Sequence, residues 1–385
     1  VITSSPRTLF LTPGCFDKGG ISRYSRYQID ALRAILGPDR VRVLSLLGPG
    51  EGGFETPFAV DWHGPGPAPT RLSRAAFAAQ ALRHALLWRP QVIHCAHVNF
   101  TPLVTRLAAL CGATTVLNVY GLELWSGLSP ARRAHLARMD HVIADCHATA
   151  AHVTAEALHP RPPAVIWDCA DLDRFHPGPV PAGLATRYGL PDPAQHRLVL
   201  TLGRLSVSAR HKGYDRLLDI FGAVRAQMPA AHLVIAGRGD DAERLRARAA
   251  ELGLADCTTF TGPVDESDLP ALYRAAHVFA LVSDKGPGRG EGIPLTPIEA
   301  MAAGAPVLVG DEDGSPEAVD GGRNGTVVSP RDPAAMTAAL VALLAEDGPA
   351  HAARRAQARA VAEERFGYTA FADKHRAFYA GLARG

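Results

Sequence analysis

The sequence predicts an α/β chain of two Rossmann-like domains, each built on a parallel sheet. Short apolar runs alternate with helical patterns along the chain, the order that places helices on both faces of parallel strands. A Pro- and Gly-rich passage, FHPGPVPAGLATRYGLPDPAQH, breaks that rhythm near the middle. At 385 residues the chain is also long enough for two full cores. The domains are expected at 1–180 and 190–366, facing a cleft. The last amphipathic pattern, YTAFADKHRAFYAGL within 367–385, is expected to pack back on the first domain.

In the first block, RTLFLTP, VRVLSLL, QVIHCAH, TTVLNVY, HVIADC and PAVIWD read as buried strands. Helical patterns lie between most of them, for example ISRYSRYQIDALRAIL and RLSRAAFAAQALRHALLW. After the break the strands resume as RLVLTLG, AHLVIAG, CTTFTG, AHVFALV, APVLVG and GTVVS. GPGEGGFETP reads as a surface loop, and no strong internal repeat is present.

Composition narrows the function. Apolar residues at 47% and charged residues at 20% are the balance of an ordinary globular protein. A net charge of +2 argues against nucleic acid as the main partner. Residues 1–175 are mildly basic, with 17 Lys+Arg against 13 Asp+Glu, which suits an anionic acceptor or a membrane surface. Six cysteines with no close CxxC pair point to a reduced, cytoplasmic protein. No signal peptide is read before the first strand, and no apolar run approaches the ~20 residues needed to span a bilayer. Peripheral contact at the inner membrane face is left open.

The chemistry-bearing residues gather in four stretches. EGIPLTPIEAMAAGAPVLVG carries Glu291 and Glu299 on either side of a helix start. Thr296-Pro297-Ile298-Glu299 has the order of a capping box, which accounts for Glu299 without a ligand. Glu291 lies in KGPGRGEG, read as an exposed loop that offers it no structural partner. LGRLSVSARHKGYDRLL places Arg204 after a strand and Lys212 before a helix, where two fixed cations suit a diphosphate or form a solvated basic loop. Gly237-Arg238-Gly239-Asp240-Asp241-Ala242 fits G-x-G-x-x-A, yet it follows the second strand of its block. Asp256 precedes the next strand instead of ending it, so nicotinamide binding is disfavoured while a nucleotide edge contact stays open. TPGCFDKGGISRYSR sets Gly19 and Gly20 between strand and helix, either a plain turn or a place where N–H groups approach phosphate.

Together these stretches resemble the family-four retaining glycosyltransferases of the two-domain GT-B fold. The strongest part is Glu291 to Glu299, the family's E-x7-E element; GRL…KG matches at Arg204 and Lys212. GGISRY, ADLDRFHP, FTGPV and GSPEAV…NGTVV match more weakly. The resemblance implies that Glu299 holds ribose hydroxyls of a sugar nucleotide and that Glu291 lies by the donor sugar. It implies that the following turn reaches the phosphates and that Arg204 and Lys212 stabilise the departing diphosphate. Nucleotide-binding positions are then Gly19, Gly20, Arg204, Lys212, Arg238, Val264, Gly292, Ile293, Leu295, Thr296 and Glu299; Glu291, Arg204, Lys212 and Tyr120 carry the chemistry.

Three departures stand out. Tyr120-Gly121-Leu122-Glu123 occupies the place of an HGxE-like segment, Pro294 stands where glycine is frequent, and Cys146 replaces a usual serine. A tyrosine in that place lines the cleft but is not a base near neutral pH. His94, His97 and His147 are expected near strand ends, with His97 or His147 lining an acceptor cleft or serving as structural histidines. No Asp-x-Asp metal signature is evident, so no essential metal and no resident cofactor are expected; the UDP- or GDP-sugar is a substrate. The expected activity is retaining transfer of a sugar to a glycan, lipid-linked or small acceptor, in cell-surface polysaccharide or glycoconjugate synthesis. A nucleotide-sugar epimerase or a non-catalytic sugar-nucleotide binder are the alternatives.

Overall fold

The computed structural model describes residues 5–51 and 53–382. The chain forms two compact units, Val1–Cys169 with Tyr368–Gly385, and Ala170–Gly367.

Unit 1 holds seven strands: β1 Thr8–Thr12, β2 Val41–Ser45, β3 Trp62–His63, β4 Val92–Cys95, β5 Thr114–Val119, β6 His141–Ala144 and β7 Ala164–Val165. Their order is β3-β2-β1-β4-β5-β6-β7 and every pairing is parallel. All five residues of β1 and all four of β4 are buried, as strands covered by helices on both faces require. β3 is absent from the sequence reading: two residues at a sheet edge leave no alternation to detect. The order reverses between β1 and β4, so the loops leaving these strands diverge and open a crevice at their carboxyl ends.

The helix Tyr368–Leu382 belongs to unit 1 and buries Phe371, Ala372, His375 and Tyr379. A closed hydrogen-bond network pins it. His94 Nε2–H donates to Asn118 Oδ1 (3.0 Å), and the Tyr379 hydroxyl donates to His94 Nδ1 (2.7 Å). The Gln28 amide donates to His375 Nε2 (2.8 Å), while His375 Nδ1–H donates to the Phe371 carbonyl (2.9 Å). Burial pushes His94 down to about 3 and His375 down to about 4, so both rings are neutral and each nitrogen has one role. His94 is therefore an interior residue of β4. It is structural, one residue from the C-terminal end of the strand.

Unit 2 holds six strands: β8 Arg197–Leu202, β9 Ala231–Ala236, β10 Thr258–Gly262, β11 Val278–Leu281, β12 Val307–Gly310 and β13 Gly325–Val328. The order is β10-β9-β8-β11-β12-β13, again all parallel, with the reversal between β8 and β11. The boundary falls earlier than the Pro/Gly passage. Ala170 N–H bonds to the Phe366 carbonyl and Arg174 pairs with Glu266 at 2.8 Å, which ties residues 170–180 to unit 2. The passage itself contains a helix, Gly183–Tyr188, closed by Gly189 at φ +63°.

Candidate active site

The polar groups of unit 2 gather where β8 and β11 end. Gly203 and Arg204 leave β8; a short turn, Val207–Lys212, leads through Gly213 into the helix Tyr214–Gln227. Gly213 sits at φ +87°, and a Cβ there would meet the Val282 carbonyl at 2.3 Å. Only glycine lets this turn press against the end of β11. That contact aims His211 and Lys212 at the loop after β11.

Glu291 receives both. Lys212 Nζ donates to Glu291 Oε1 at 2.7 Å and His211 Nε2–H donates to the same oxygen at 2.8 Å. The Glu291 backbone is held as well, its N–H by Asp313 Oδ2 (3.0 Å) and its carbonyl by Gly314 N–H (3.0 Å). The side chains of Glu291 and Lys212 are only 18% and 14% exposed. Burial alone would raise the carboxyl pKa, but Lys212 and His211 more than offset it and bring it down to about 2. This corrects the sequence reading of an exposed, partnerless Glu291. Its partners lie 79 and 80 residues upstream, across the strand reversal, where no local pattern shows them. It also gives Lys212 a partner: one of the three donors of its ammonium is on Glu291. Glu291 Oε2 makes no hydrogen bond among the described residues and remains an available acceptor.

Arg204 differs. It is exposed and makes no hydrogen bond or ion pair among the described residues, and the same holds for the Arg238 side chain. Their loops interlock. A Cβ on Gly237, at φ +129°, would lie 1.9 Å from the Gly203 carbonyl, and one on Gly239 would lie 2.1 Å from the Leu205 carbonyl. Leu205 N–H bonds to the Arg238 carbonyl (3.0 Å) and Asp241 N–H to the Leu205 carbonyl (2.8 Å). The glycines of G-x-G-x-x-A thus serve loop–loop packing and bring two unpaired guanidiniums onto adjoining turns. Asp256 is 75% exposed and pairs with Arg225 at 3.7 Å, which is no place for a ribose ligand. Val264 is half-buried beyond the end of β10, whose Gly262 carbonyl accepts from Gly237 N–H.

The helix after Glu291 runs Leu295–Ala302, with Pro294 as the residue before it and no side-chain cap. Pro294 is fixed in an extended conformation (φ −77°, ψ 128°), so the helix starts ahead of Thr296 and the expected Thr296–Glu299 capping box does not form. Gly292, Ile293, Leu295 and Thr296 line the approach to this N-terminus, where among the described residues no side-chain cap is made. Glu299 is one turn in and 3% exposed; the buried Tyr273 hydroxyl donates to its Oε2 at 3.0 Å. Its structural partner is a tyrosine from a neighbouring helix.

In unit 1, Tyr120 follows β5. Its hydroxyl accepts from Asn118 Nδ2 (3.2 Å), and its ring meets Tyr24 edge-on at 5.4 Å. Burial holds its pKa well above the ordinary tyrosine value, so the phenol keeps its proton. The Tyr120 N–H donates to Glu123 Oε1 (2.7 Å), and burial pushes that carboxyl up to about 7. Sequence reading quoted Glu123 and gave it no role; its raised pKa depends on packing that only the fold supplies.

Asp17 Oδ1 accepts from Gly19 N–H at 2.7 Å and its other oxygen accepts from Ser22 Oγ–H. The N–H of Gly19, the residue before the helix Gly20–Leu36, is therefore taken by an internal carboxylate, the plain-turn alternative of the sequence reading. A Cβ on Gly20 would meet nothing within 4 Å, so that glycine is not sterically required. His97 lines a cavity at the end of β4, whereas the exposed His147 packs edge-on to Trp167 at 5.7 Å. Among the described residues no group of three His, Cys, Asp or Glu side chains is arranged to hold a metal.

Two parallel α/β units, each gathering polar groups at its strand reversal, define the GT-B glycosyltransferase fold. The comparisons agree. Residues 18–174 match the model described as Glycosyltransferase Family 4, and residues 196–346 match Glycosyl transferases group 1. The chain is 34% identical over 255 residues to the lipopolysaccharide core biosynthesis mannosyltransferase LpsB of Rhizobium meliloti, covering 64% of this chain and 67% of that protein. It is 35% identical over 255 residues to the GDP-mannose-dependent alpha-(1-6)-phosphatidylinositol monomannoside mannosyltransferase of Mycobacterium tuberculosis, covering 63% of each. The crystal structure of Anabaena HepE in complex with UDP superposes with a TM-score of 0.78 at 18% identity, over 97% of this chain and 100% of that one. The chain belongs to glycosyltransferase family 4. It spans between half and two thirds of the length of the first curated relatives it matches, 50% in one and 63% in another.

Proposed function

We propose that the protein transfers a sugar, with retention, from a nucleotide-diphosphate sugar to an acceptor hydroxyl, without a metal. The observation that carries the reading is Glu291, buried and ionised through Oε1 with Oε2 left to accept from sugar hydroxyls. Beside it in sequence stands the uncapped N-terminus at Leu295, whose N–H groups and dipole favour a diphosphate. Arg204 and Arg238 supply charge that no group among the described residues neutralises, which supports stabilisation of the leaving diphosphate without a cation. Lys212 holds Glu291 through one of its three donors. Glu299 is the ribose ligand in this reading, oriented by Tyr273.

In the transfer, the acceptor oxygen bonds to the anomeric carbon on the face the diphosphate leaves. The carbon–oxygen bond to the diphosphate breaks, and the acceptor proton passes to a diphosphate oxygen. Tyr120 keeps its proton and is not the base. The mannosyltransferase relatives support a GDP-sugar, with UDP-sugars the alternative, and a glycan or lipid-linked acceptor in glycoconjugate synthesis. Six free cysteines, five of them buried, suit the reducing cytoplasm.

The test is incubation with GDP-mannose, UDP-glucose and related donors and an acceptor panel, with the product's anomeric configuration read by NMR. An α-linked product from an α-linked donor, formed after chelation of metals, is expected. Donor turnover to a free epimerised sugar nucleotide with no acceptor product would overturn the reading.

A further inference from the structure

Two donors converge on one oxygen of Glu291, and they are held with unequal firmness. Lys212 Nζ and His211 Nε2–H both reach Oε1, at 2.7 and 2.8 Å, while Oε2 takes no hydrogen bond among the described residues. His211 lies in the turn Val207–Lys212, whose backbone is fastened on both sides. The His211 carbonyl accepts from Asp284 N–H at 2.9 Å, and the Arg210 carbonyl accepts from Gly213 N–H at 3.2 Å. Asp284 is in turn paired with Arg216 at 2.6 Å and with Arg289 at 3.1 Å. A short, planar side chain on that fixed backbone, 6% exposed, has little freedom to move. Lys212 is the opposite case: a long flexible stem ends in an ammonium with donors beyond the one on Glu291.

The surroundings of this carboxylate are also incomplete. His211 Nδ1 is buried and has no hydrogen-bond partner among the described residues, and the same holds for the hydroxyl of Tyr214, a residue 2% exposed. With Glu291 accepting at Nε2 and no partner at Nδ1, the imidazole carries its hydrogen on Nε2. The Tyr214 hydroxyl lies beside the Lys212 stem: a Cβ built on Gly203 would meet the hydroxyl at 2.6 Å and Lys212 Cδ at 3.2 Å. Burial first, and Glu291 second, hold the Tyr214 pKa above its ordinary value, while Arg204 works the other way. Buried polar groups are nearly always paired, so two unpaired ones around one ion pair mark a site that trades partners.

A diphosphate near Arg204 and the helix start at Leu295 adds negative charge beside Glu291, and a mobile ammonium is drawn to it. We propose that His211 is a positioning residue for the transfer. When the diphosphate draws Lys212 away, His211 alone keeps Glu291 Oε1 and so leaves Oε2 aimed at the sugar. Lys212 is the exchangeable partner of Glu291, and His211 the permanent one. The inference rests on the transferase reading for its trigger, while the unequal hold of the two donors stands on this turn alone.

GDP, UDP, GDP-mannose and UDP-glucose are titrated calorimetrically into the full chain and into Lys212→Met, His211→Ala and His211→Gln, with melting curves confirming the fold. Lys212→Met should weaken plain and sugar nucleotides alike, by about tenfold or more, and keep the preference for the sugar conjugate. His211→Ala should lose about tenfold of that preference and of kcat while the plain nucleotide still binds. His211→Gln, whose amide N–H can donate to Oε1, should recover most of both, which a merely structural histidine would not. A second arm needs no variant to fold. The chain has four lysines, Lys18, Lys212, Lys285 and Lys374, so NMR of their side-chain ammonium groups resolves Lys212. Saturating GDP, UDP or inorganic pyrophosphate should shift the Lys212 signal in wild type, while the His211 Nε2–H signal persists. A Lys212 signal unmoved by a bound diphosphate overturns the inference. So does a sugar preference intact in His211→Ala, or one lost in Lys212→Met with plain nucleotide binding unchanged. Wild-type protein that binds pyrophosphate but no sugar nucleotide marks failure of the transferase reading, and the two signals still decide the exchange; binding of neither overturns both.

Discussion

Replacing Glu291 with alanine removes an ionised carboxylate that holds Lys212 and His211 at 2.7 and 2.8 Å. The pKa falls from the ordinary 4.5 to about 2, which corresponds to about 3 kcal/mol of stability at neutral pH. The figure is of the size measured when one partner of a buried pair is deleted, about 3–5 kcal/mol, with the small residual exposure placing it at the lower end. At about 2–4 °C per kcal/mol for a unit of this size, Glu291→Ala should melt roughly 6–12 °C lower. The sign of the pH dependence follows. A depressed carboxylate pKa contributes stability above the unfolded value and loses it as pH falls through the folded one, here from about 4.5 to about 2. Differential scanning calorimetry from pH 7 to pH 2 should show the gap between wild type and Glu291→Ala closing over that window. The variant should also lose discrimination between a sugar nucleotide and the plain nucleoside diphosphate. A melting temperature within a degree of wild type at pH 7 would refute the pairing.

Other perturbations separate packing from ligand contact. Gly237→Ala forces a Cβ onto the Gly203 carbonyl at φ +129°, and should cost about 1–3 kcal/mol while weakening nucleotide binding as the Arg204 and Arg238 turns are displaced; calorimetry and a GDP or UDP titration check both. Tyr273→Phe leaves Glu299 without one buried donor, and should lower stability by about 1–3 kcal/mol in denaturant melts. Thr296→Ala should change stability by no more than a few tenths of a kcal/mol, because no cap is made there. Tyr120→Phe removes only an acceptor for Asn118, so turnover should stay within about tenfold of wild type; complete loss with donor binding intact would give the hydroxyl a chemical role.

The strands were legible because both faces of each sheet are covered, so β1, β4 and β9 are mostly apolar and buried along their whole length. β3 was not, since Trp62–His63 joins the edge by tertiary pairing to Leu44 and Ser45 alone. The E-x7-E spacing and the positions of Arg204 and Lys212 could be read directly, but their partners could not. Local reasoning gave Glu299 to Thr296, whereas Pro294 starts the helix early and Tyr273 takes the carboxylate. His211 was hidden in a run that looks like a solvated basic loop, and the fold turns it inward. Asp17 was overlooked at Gly19 because a helix N-terminus shows in sequence while the carboxylate that fills it depends on the loop's path. Local rules located the turns; tertiary packing decided which charges remain open.

Those open charges are the most direct point of attack. GDP, UDP and their sugar conjugates are titrated calorimetrically into the wild type and into Arg204→Gln, Arg238→Gln and the double variant. Neither guanidinium makes an ion pair among the described residues, so neither change should lower the melting temperature appreciably. One charge-assisted phosphate contact contributes about 1.5–3 kcal/mol, so each single variant should bind its preferred sugar nucleotide about 10- to 100-fold more weakly, and the double variant more weakly still. A double variant that binds the sugar nucleotide as tightly as wild type would contradict the assignment of this site to the donor diphosphate.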